Sequence, residues 1–388
     1  MSSINIASSS VRPLTSVGIE VNHHLSQSHS DVHYPHYILP KFILRYLRWA
    51  RFVEESDKNF KSRLIWFIFY LVLVFMSLDR VILHCIAKTS TGSKLVSFLN
   101  LACNLAIWHY MRHKRTQLTI LLGKLQKTHF PALRFGIYFC LILLLCLPFA
   151  NTIFSLISCP ASKCSHVYAY GYYINSFYGQ IMVQTFKELF EYVVVNTQLN
   201  LLTHLYCSLC LYCSSSINSL ADKVAKYSPE EFVHIIQLDI LRHKAKIDAL
   251  LHDIQNTFSK PSLLLIMANC ISCIFRLGLI LISPNIHIQL LFTCTIHFAC
   301  VASVLWSAGA VPVALNKLKE VFNEKAHLRL LSAPTTDELQ MILIKKEFID
   351  KTNFALSGWD IVVYKKNSIL AFVGTLLTYS LLTTDDIF

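Results

Sequence analysis

The chain has 388 residues, 54% of them hydrophobic and only 15% charged, with a mean hydropathy of +0.47. Soluble domains carry about a quarter of charged residues, so a string of soluble globular domains is excluded and an all-α polytopic membrane protein is indicated. The net charge of +12 is sorted by segment along the chain, which argues for membrane sidedness and against a nucleic-acid footprint.

The N-terminal segment, 1–63, is rich in Ser, His and Asn at its start and shows no apolar signal-peptide core, so the first span is expected to act as its own insertion signal. Crossing a bilayer takes about 20 mostly apolar residues. Seven stretches approach or meet that length: 64–87, 95–111, 133–157, 191–213, 261–283, 288–311 and 361–384. The second is short, and the fourth is read as the end of a longer helix beginning near Phe177. These divide the chain into 1–63, spans one to four over 64–213, a helical linker over 214–260, spans five and six over 261–311, a helical segment over 312–360, and span seven within 361–388.

Lys and Arg number 26 in the N-terminal segment and in the loops after spans two, four and six. The alternate loops carry few, among them Lys88, Lys94 and Lys163. By the positive-inside rule the N-terminus is cytoplasmic, and seven crossings put the C-terminus outside. That is the reverse of a G-protein-coupled receptor. Glycine is scarce, at ten residues, which speaks against the broken helices of a transporter. No H-E-x-x-H, G-x-S-x-G, P-loop or G-x-G-x-x-G pattern occurs, so neither an enzyme motif nor a cofactor site is indicated.

Most of the thirteen cysteines lie within apolar runs, where they behave as small hydrophobes. Cys159 and Cys164 share a polar loop, and a disulfide between them fits an extracellular position. Cys207, Cys210 and Cys213 recur at helical spacing without the His or acid that would complete a metal site.

On the cytoplasmic side, Ser228-Pro229-Glu230-Glu231 reads as a capping box opening a helix. Behind it Val233, Ile236, Ile240, Ile247, Leu251 and Ile254 form one apolar stripe to about Phe258. A second amphipathic helix is expected from Thr335–Asp337 onward, carrying Leu339, Ile342, Ile344 and Phe348. Both stripes need a partner, either neighbouring loops or a second subunit.

Charges within spans are costly unless paired or placed in a wet cavity. Asp79 and Arg80 lie about fifteen residues into span one and Arg276 about fifteen into span five, so at about 1.5 Å per residue they share the outer half of the bilayer. Glu188 and Glu191 enter span four from the same side. Two readings stand: an outward-facing ligand pocket, or internal salt bridges such as Asp79 or Glu191 with Arg276. The aromatic loop Tyr168–Tyr173 is a pocket lid or an interfacial belt. His297 in span six is a packed, hydrogen-bonded histidine or a ligand-reading one.

Three short motifs carry a resemblance. Span seven contains Thr378-Tyr379, followed by Ser380-Leu381-Leu382-Thr383-Thr384 and then Asp385-Asp386. Leu356-Ser357-Gly358-Trp359-Asp360 leads into that span, and Phe258-Ser259-Lys260-Pro261-Ser262-Leu263-Leu264 opens span five. With seven spans and an inside N-terminus, from about residue 40 onward the chain resembles the insect gustatory receptors, with the related odorant receptors second. In that family Gln-Phe stands where this chain has Asp385-Asp386.

The resemblance implies a plasma-membrane, ligand-gated, non-selective cation channel, a homo- or hetero-tetramer held together by its cytoplasmic helices. An extracellular small-molecule tastant would open it. The lack of an obvious sugar-binding cluster points to a bitter or other non-sugar compound. Span seven would line the pore: Thr375, Thr378, Leu382, Asp385 and Asp386 share a helical face, with Tyr379 beside Thr378. A leucine ring gates by dewetting, and four pairs of aspartates would form an acidic mouth. The plainer alternative is that the two acids only mark the helix's exit into water.

Overall fold

The computed structural model describes residues 41–54, 60–86, 91–126, 146–158, 168–282, 288–332 and 354–385. In hydrocarbon a backbone N–H or C=O finds no water, so an apolar chain must bond its polar groups to itself, as a helix does. Among the described residues the fold is accordingly helical, apart from one two-stranded hairpin.

The N-terminal segment contributes a helix that the sequence reading does not place, α1 (Lys41–Trp49). It is amphipathic: Leu44 and Leu47 are buried and Arg45 and Arg48 exposed, with Tyr46 edge-on to Phe69 at 6.2 Å. Next comes α2 (Phe60–Ile86), which leaves Leu64, Phe67, Ile68, Leu71, Phe75 and Leu78 exposed. That apolar stripe suits contact with acyl chains rather than water. Helices α3 (Thr91–His113) and α4 (Arg115–Gln126) break at Lys114, and α5 covers Cys146–Ser158.

Helix α6 (Phe177–Glu191) starts where the sequence places it, its first turn capped by Ser176, whose hydroxyl accepts from the Gly179 N–H at 3.4 Å. A single π-helical turn, Tyr192–Asn196, joins it to α7 (Thr197–Lys226). The two longest helices follow, α8 (His234–Ile282) and α9 (Ile288–Ser332). Each carries an internal proline, Pro261 and Pro312, yet each runs on across a boundary that the sequence places between linker and span. Strands β1 (Ser357–Gly358) and β2 (Val362–Val363) then lead into α10 (Ser368–Asp385).

Two helix starts also differ from expectation. The capping box does form: Ser228 N–H donates to Glu231 Oε2 at 3.1 Å, and Glu231 N–H donates to Ser228 Oγ at 3.3 Å. It closes a turn, however, and the helix begins only at His234. Phe232 explains the delay, because it leaves the helical path to pack fully buried against Phe322, ring centroids 5.2 Å apart. Burying such a side chain is worth roughly 1.5–3 kcal/mol, more than a few helical residues contribute. Likewise α10 starts at Ser368 and not near residue 361, since the hairpin takes up the intervening residues. The expected helix from Thr335 to Phe348 lies outside the described residues.

The core is formed where α7, α8 and α9 meet, with α3 on the far side of α8 and α10 leaning mainly on α8. Tyr206, Phe258, Leu202, Val311 and Leu318 are buried there. Among the described residues three helices, Arg63–Leu83, His234–Leu281 and Ile288–Ser332, are long and apolar enough to cross a membrane, and Cys146–Ser158 and Ser368–Tyr379 are shorter apolar helices.

Candidate ligand cavity and pore helix

The in-span charges converge. Asp79 and Arg80 are neighbours on α2, so their side chains leave the helix about 100° apart and meet different partners. Asp79 turns to α6, where Lys187 Nζ lies 2.5 Å from its Oδ1, and also accepts from the Tyr170 hydroxyl. Arg80 pairs with Glu191, also from α6 at its last residue. The expected pairing of Asp79 or Glu191 with Arg276 is therefore not made, because both acids are taken by nearer cations. Among the described residues no acid lies within ion-pair distance of Arg276.

Glu188, one turn before Glu191, is held by neutral donors. It accepts from the Tyr168 hydroxyl at 2.5 Å, Ser155 Oγ at 2.9 Å and Asn151 Nδ2 at 3.5 Å. Burial and the Glu188 carboxylate push the Tyr168 phenol well above its ordinary range, so Tyr168 remains a donor at any physiological pH. The aromatic loop thus sits over the polar cluster through Tyr168 and Tyr170, while Tyr172 and Tyr173 are exposed. Tyr170 and Gly171 make that turn with positive φ, 57° and 92°.

Between these groups lies a cavity of about 220 Å³ whose wall includes Arg80, Glu188, Glu191, Arg276 and His297. His297 Nδ1 is 2.6 Å from Asn269 Oδ1, and both residues line the space. Four of the five sequence candidates, Glu188, Glu191, Arg276 and His297, share one wall; Asp79 stands just behind it. The wall is polar, with amides from Asn151, Asn196, Asn200, Asn269 and Gln289.

The π-helical turn helps to build this wall. In an unbroken α-helix Asn200 would lie about 80° around from Tyr192. The one extra residue brings Tyr192, Asn196 and Asn200 back to the cavity side. Thr197 Oγ1 donates to the Tyr192 carbonyl at 3.1 Å. Sequence reading misses Lys187, whose signal was visible as a cation inside an otherwise apolar helix. It also misses the asparagines, which carry no charge to mark them.

On α10, Thr375 and Thr378 are exposed, and Leu376 is buried. Their hydroxyls donate back to Ala371 O and Gly374 O, both at 2.9 Å. Tyr379 is exposed beside them. Phe372 stacks on Phe298 of α9 at 5.8 Å, while Thr375 and Thr378 face away from the described helices. Leu382 and Asp385 continue the helix; Asp386 lies outside the described residues, as do Cys159 and Cys164.

The base of α10 is fastened to α8 by two of the short motifs. Trp359 and Asp360 form a left-handed turn, φ 52° and 57°, a conformation that costs roughly 1–2 kcal/mol per non-glycine residue. The costs are offset by contacts. The Trp359 N–H donates to the Ser259 carbonyl at 3.1 Å, and Lys260 Nζ lies 5.1 Å over the Trp359 ring. Asp360 Oδ1 accepts from Ser357 Oγ at 2.9 Å and from Gln255 Nε2 at 3.2 Å. Gly358 is required at its place, because a Cβ there would lie 3.0 Å from Leu263 Cβ and run into the Tyr364 hydroxyl. A second tight approach joins α9 to the lead-in of α10: a Cβ on Gly309 would stand 2.6 Å from the Lys366 backbone nitrogen.

No family model and no curated protein matches the chain. Among solved structures, the insect olfactory receptor OR5 from Machilis hrabei is similar, with a TM-score of 0.62 over 88% of this chain and 96% of that one, at 13% identity. The same receptor in complex with eugenol is similar at a TM-score of 0.62, over 88% and 97%, at 12% identity. With its apolar helices and this neighbour, the chain is a membrane protein with the fold of an insect olfactory receptor.

Proposed function

We propose that the chain is a chemoreceptor subunit of the gustatory type, forming a ligand-gated cation channel in the plasma membrane. A small molecule entering the polar cavity from outside would open a pore lined by α10 of four identical or related subunits. The observation that carries this reading is the cavity itself: a charged and amide-rich wall buried among helices of an apolar protein, with the Arg276 guanidinium lacking an acid partner among the described residues. Intramembrane charges are expensive, and a cluster of them around a space points to a ligand or ion path. The fold of an olfactory receptor and the motifs at 258–264, 356–360 and 378–379 support the channel class.

The lining favours a small, hydrogen-bonding tastant that presents an acceptor to Arg276. The inclination toward a non-sugar compound drawn from the sequence has no counterpart in this wall. An odorant-type channel subunit is the second reading, favoured by the olfactory neighbour.

The test is electrophysiology on cells expressing the chain, alone and with other receptor subunits, against a panel of polar tastants. A tastant-evoked cation current is expected, with Arg276→Gln raising the half-maximal concentration about tenfold or more, the scale of a lost charged hydrogen bond. Surface expression with no current in any combination, together with substrate-coupled flux, would overturn the channel. Staining of an N-terminal tag on intact cells would overturn the topology.

A further inference from the structure

A second cavity, of about 560 Å³, opens sideways between α5, α7, α9 and the first turn of α10. It shares Asn200 and Ile296 with the polar cavity and extends from there toward Trp306 and Ile369. Asn200 stands at the partition, accepting from Cys300 Sγ at 3.5 Å and donating to the Tyr192 hydroxyl at 3.4 Å. The lip is open: Leu211, Ala299, Ser303 and Trp306 are exposed.

Its chemistry differs from that of the polar cavity. Among the described residues no Asp, Glu, Lys or Arg lines it, so carboxylates, phosphates and ammonium groups find no counter-ion there. Most of the wall is apolar, yet two polar atoms on adjacent α7 residues are buried with no hydrogen-bond partner among the described residues, Thr203 Oγ1 and His204 Nε2. Thr203 is 95% buried, and its hydroxyl is not spent on a preceding carbonyl as Thr375 and Thr378 spend theirs. Within a bilayer no water supplies the missing bond, and each unmet group is costly.

We infer that this groove binds a membrane-dissolved alcohol: a hydrocarbon body lying against the apolar wall, with one hydroxyl that both donates and accepts, held between Thr203 and His204. The occupant touches Ile369 in the first turn of α10. It also underlies Trp306, whose ring carries Lys366 Nζ at 4.6 Å from the α10 lead-in. An alcohol in the groove therefore bears on the base of the pore helix without entering the polar cavity. The source is either a sterol of the bilayer or a long-chain primary alcohol.

The test reconstitutes the full-length chain in lipid nanodiscs with two photoactivatable probes in separate arms, a 3β-hydroxysterol and a sixteen-carbon primary alcohol, and maps labelled peptides by mass spectrometry. Saturable labelling within 200–211 or 296–307 is expected from one probe, which identifies the source. Excess unlabelled alcohol should remove it, and the corresponding methyl ether should not. Thr203→Val with His204→Leu should lower labelling about fivefold, the scale of one or two neutral hydrogen bonds. Ser303→Phe fills the groove from its exposed lip and should abolish labelling even if the double variant fails to fold. Non-saturable labelling, labelling equal to that along the exposed face of α2, or labelling that survives Ser303→Phe overturns the inference.

Discussion

The Tyr364 phenol oxygen and the Ser262 hydroxyl lie 2.9 Å apart, buried, across 102 residues of sequence. That bond joins the lead-in of α10 to α8 one residue beyond Pro261, and Gly358 passes directly beneath it. Gly358→Ala has no space for its methyl group and should cost about 1–3 kcal/mol, the usual penalty for overpacking. Thermal unfolding followed by fluorescence-detected size exclusion should show the loss. Gly374→Ala, where nothing lies within 4 Å, should leave the midpoint unchanged or raise it.

Lys187 and Asp79 form a pair in which Asp79 is almost wholly buried. Removing one partner strands the other charge, so Lys187→Met or Asp79→Leu alone should destabilise by about 3–5 kcal/mol. The double variant should recover most of that. Additive losses in the cycle would mean that the two groups do not sense each other.

The sequence marked which helices carry charge but not how the charges pair. Asp79 and Arg80 show why: adjacent residues leave a helix in different directions, and partner choice depends on helix rotation, which no residue type encodes. Apolar runs placed a longer helix beginning near Phe177, where α6 starts, but not α1 or α4. The boundary at His234 was hidden because the burial of Phe232 overrode a correct local capping signal. The continuity of α8 and α9 was hidden for a related reason, since packing on both sides of Pro261 and Pro312 holds each helix together where local preference would end it.

Neutralising Asp385→Asn and Asp386→Asn together should lower the permeability of divalent cations relative to monovalent ones and weaken divalent block. Reversal potentials in mixed solutions measure this. A functional channel with unaltered permeation would leave the acids as no more than the helix's exit into water.

Tyr168 has its phenol raised well above an unfolded value near 10. In the folded protein the phenol stays neutral while the unfolded chain ionises, so its contribution is complete below about pH 10 and is lost as pH rises toward the folded value. Melting temperatures in detergent should therefore fall between about pH 9.5 and 11. Tyr168→Phe should lower stability near neutrality, by depriving Glu188 of a donor, and flatten that alkaline decline.

Pro261 and Pro312 interrupt the hydrogen-bond ladders of two helices that, at 49 and 45 residues, are each roughly 70 Å long. A proline is where such a rod bends most cheaply. The hairpin grips α8 at Ser259–Leu263, beside Pro261, and the backbone of Lys365–Lys366 abuts α9 at Gly309, beside Pro312. Helix α10 is thus anchored beside the point at which each long helix bends most readily. On the channel reading proposed above, a bend of those helices at their prolines would reach α10 at its base and tilt its threonine face.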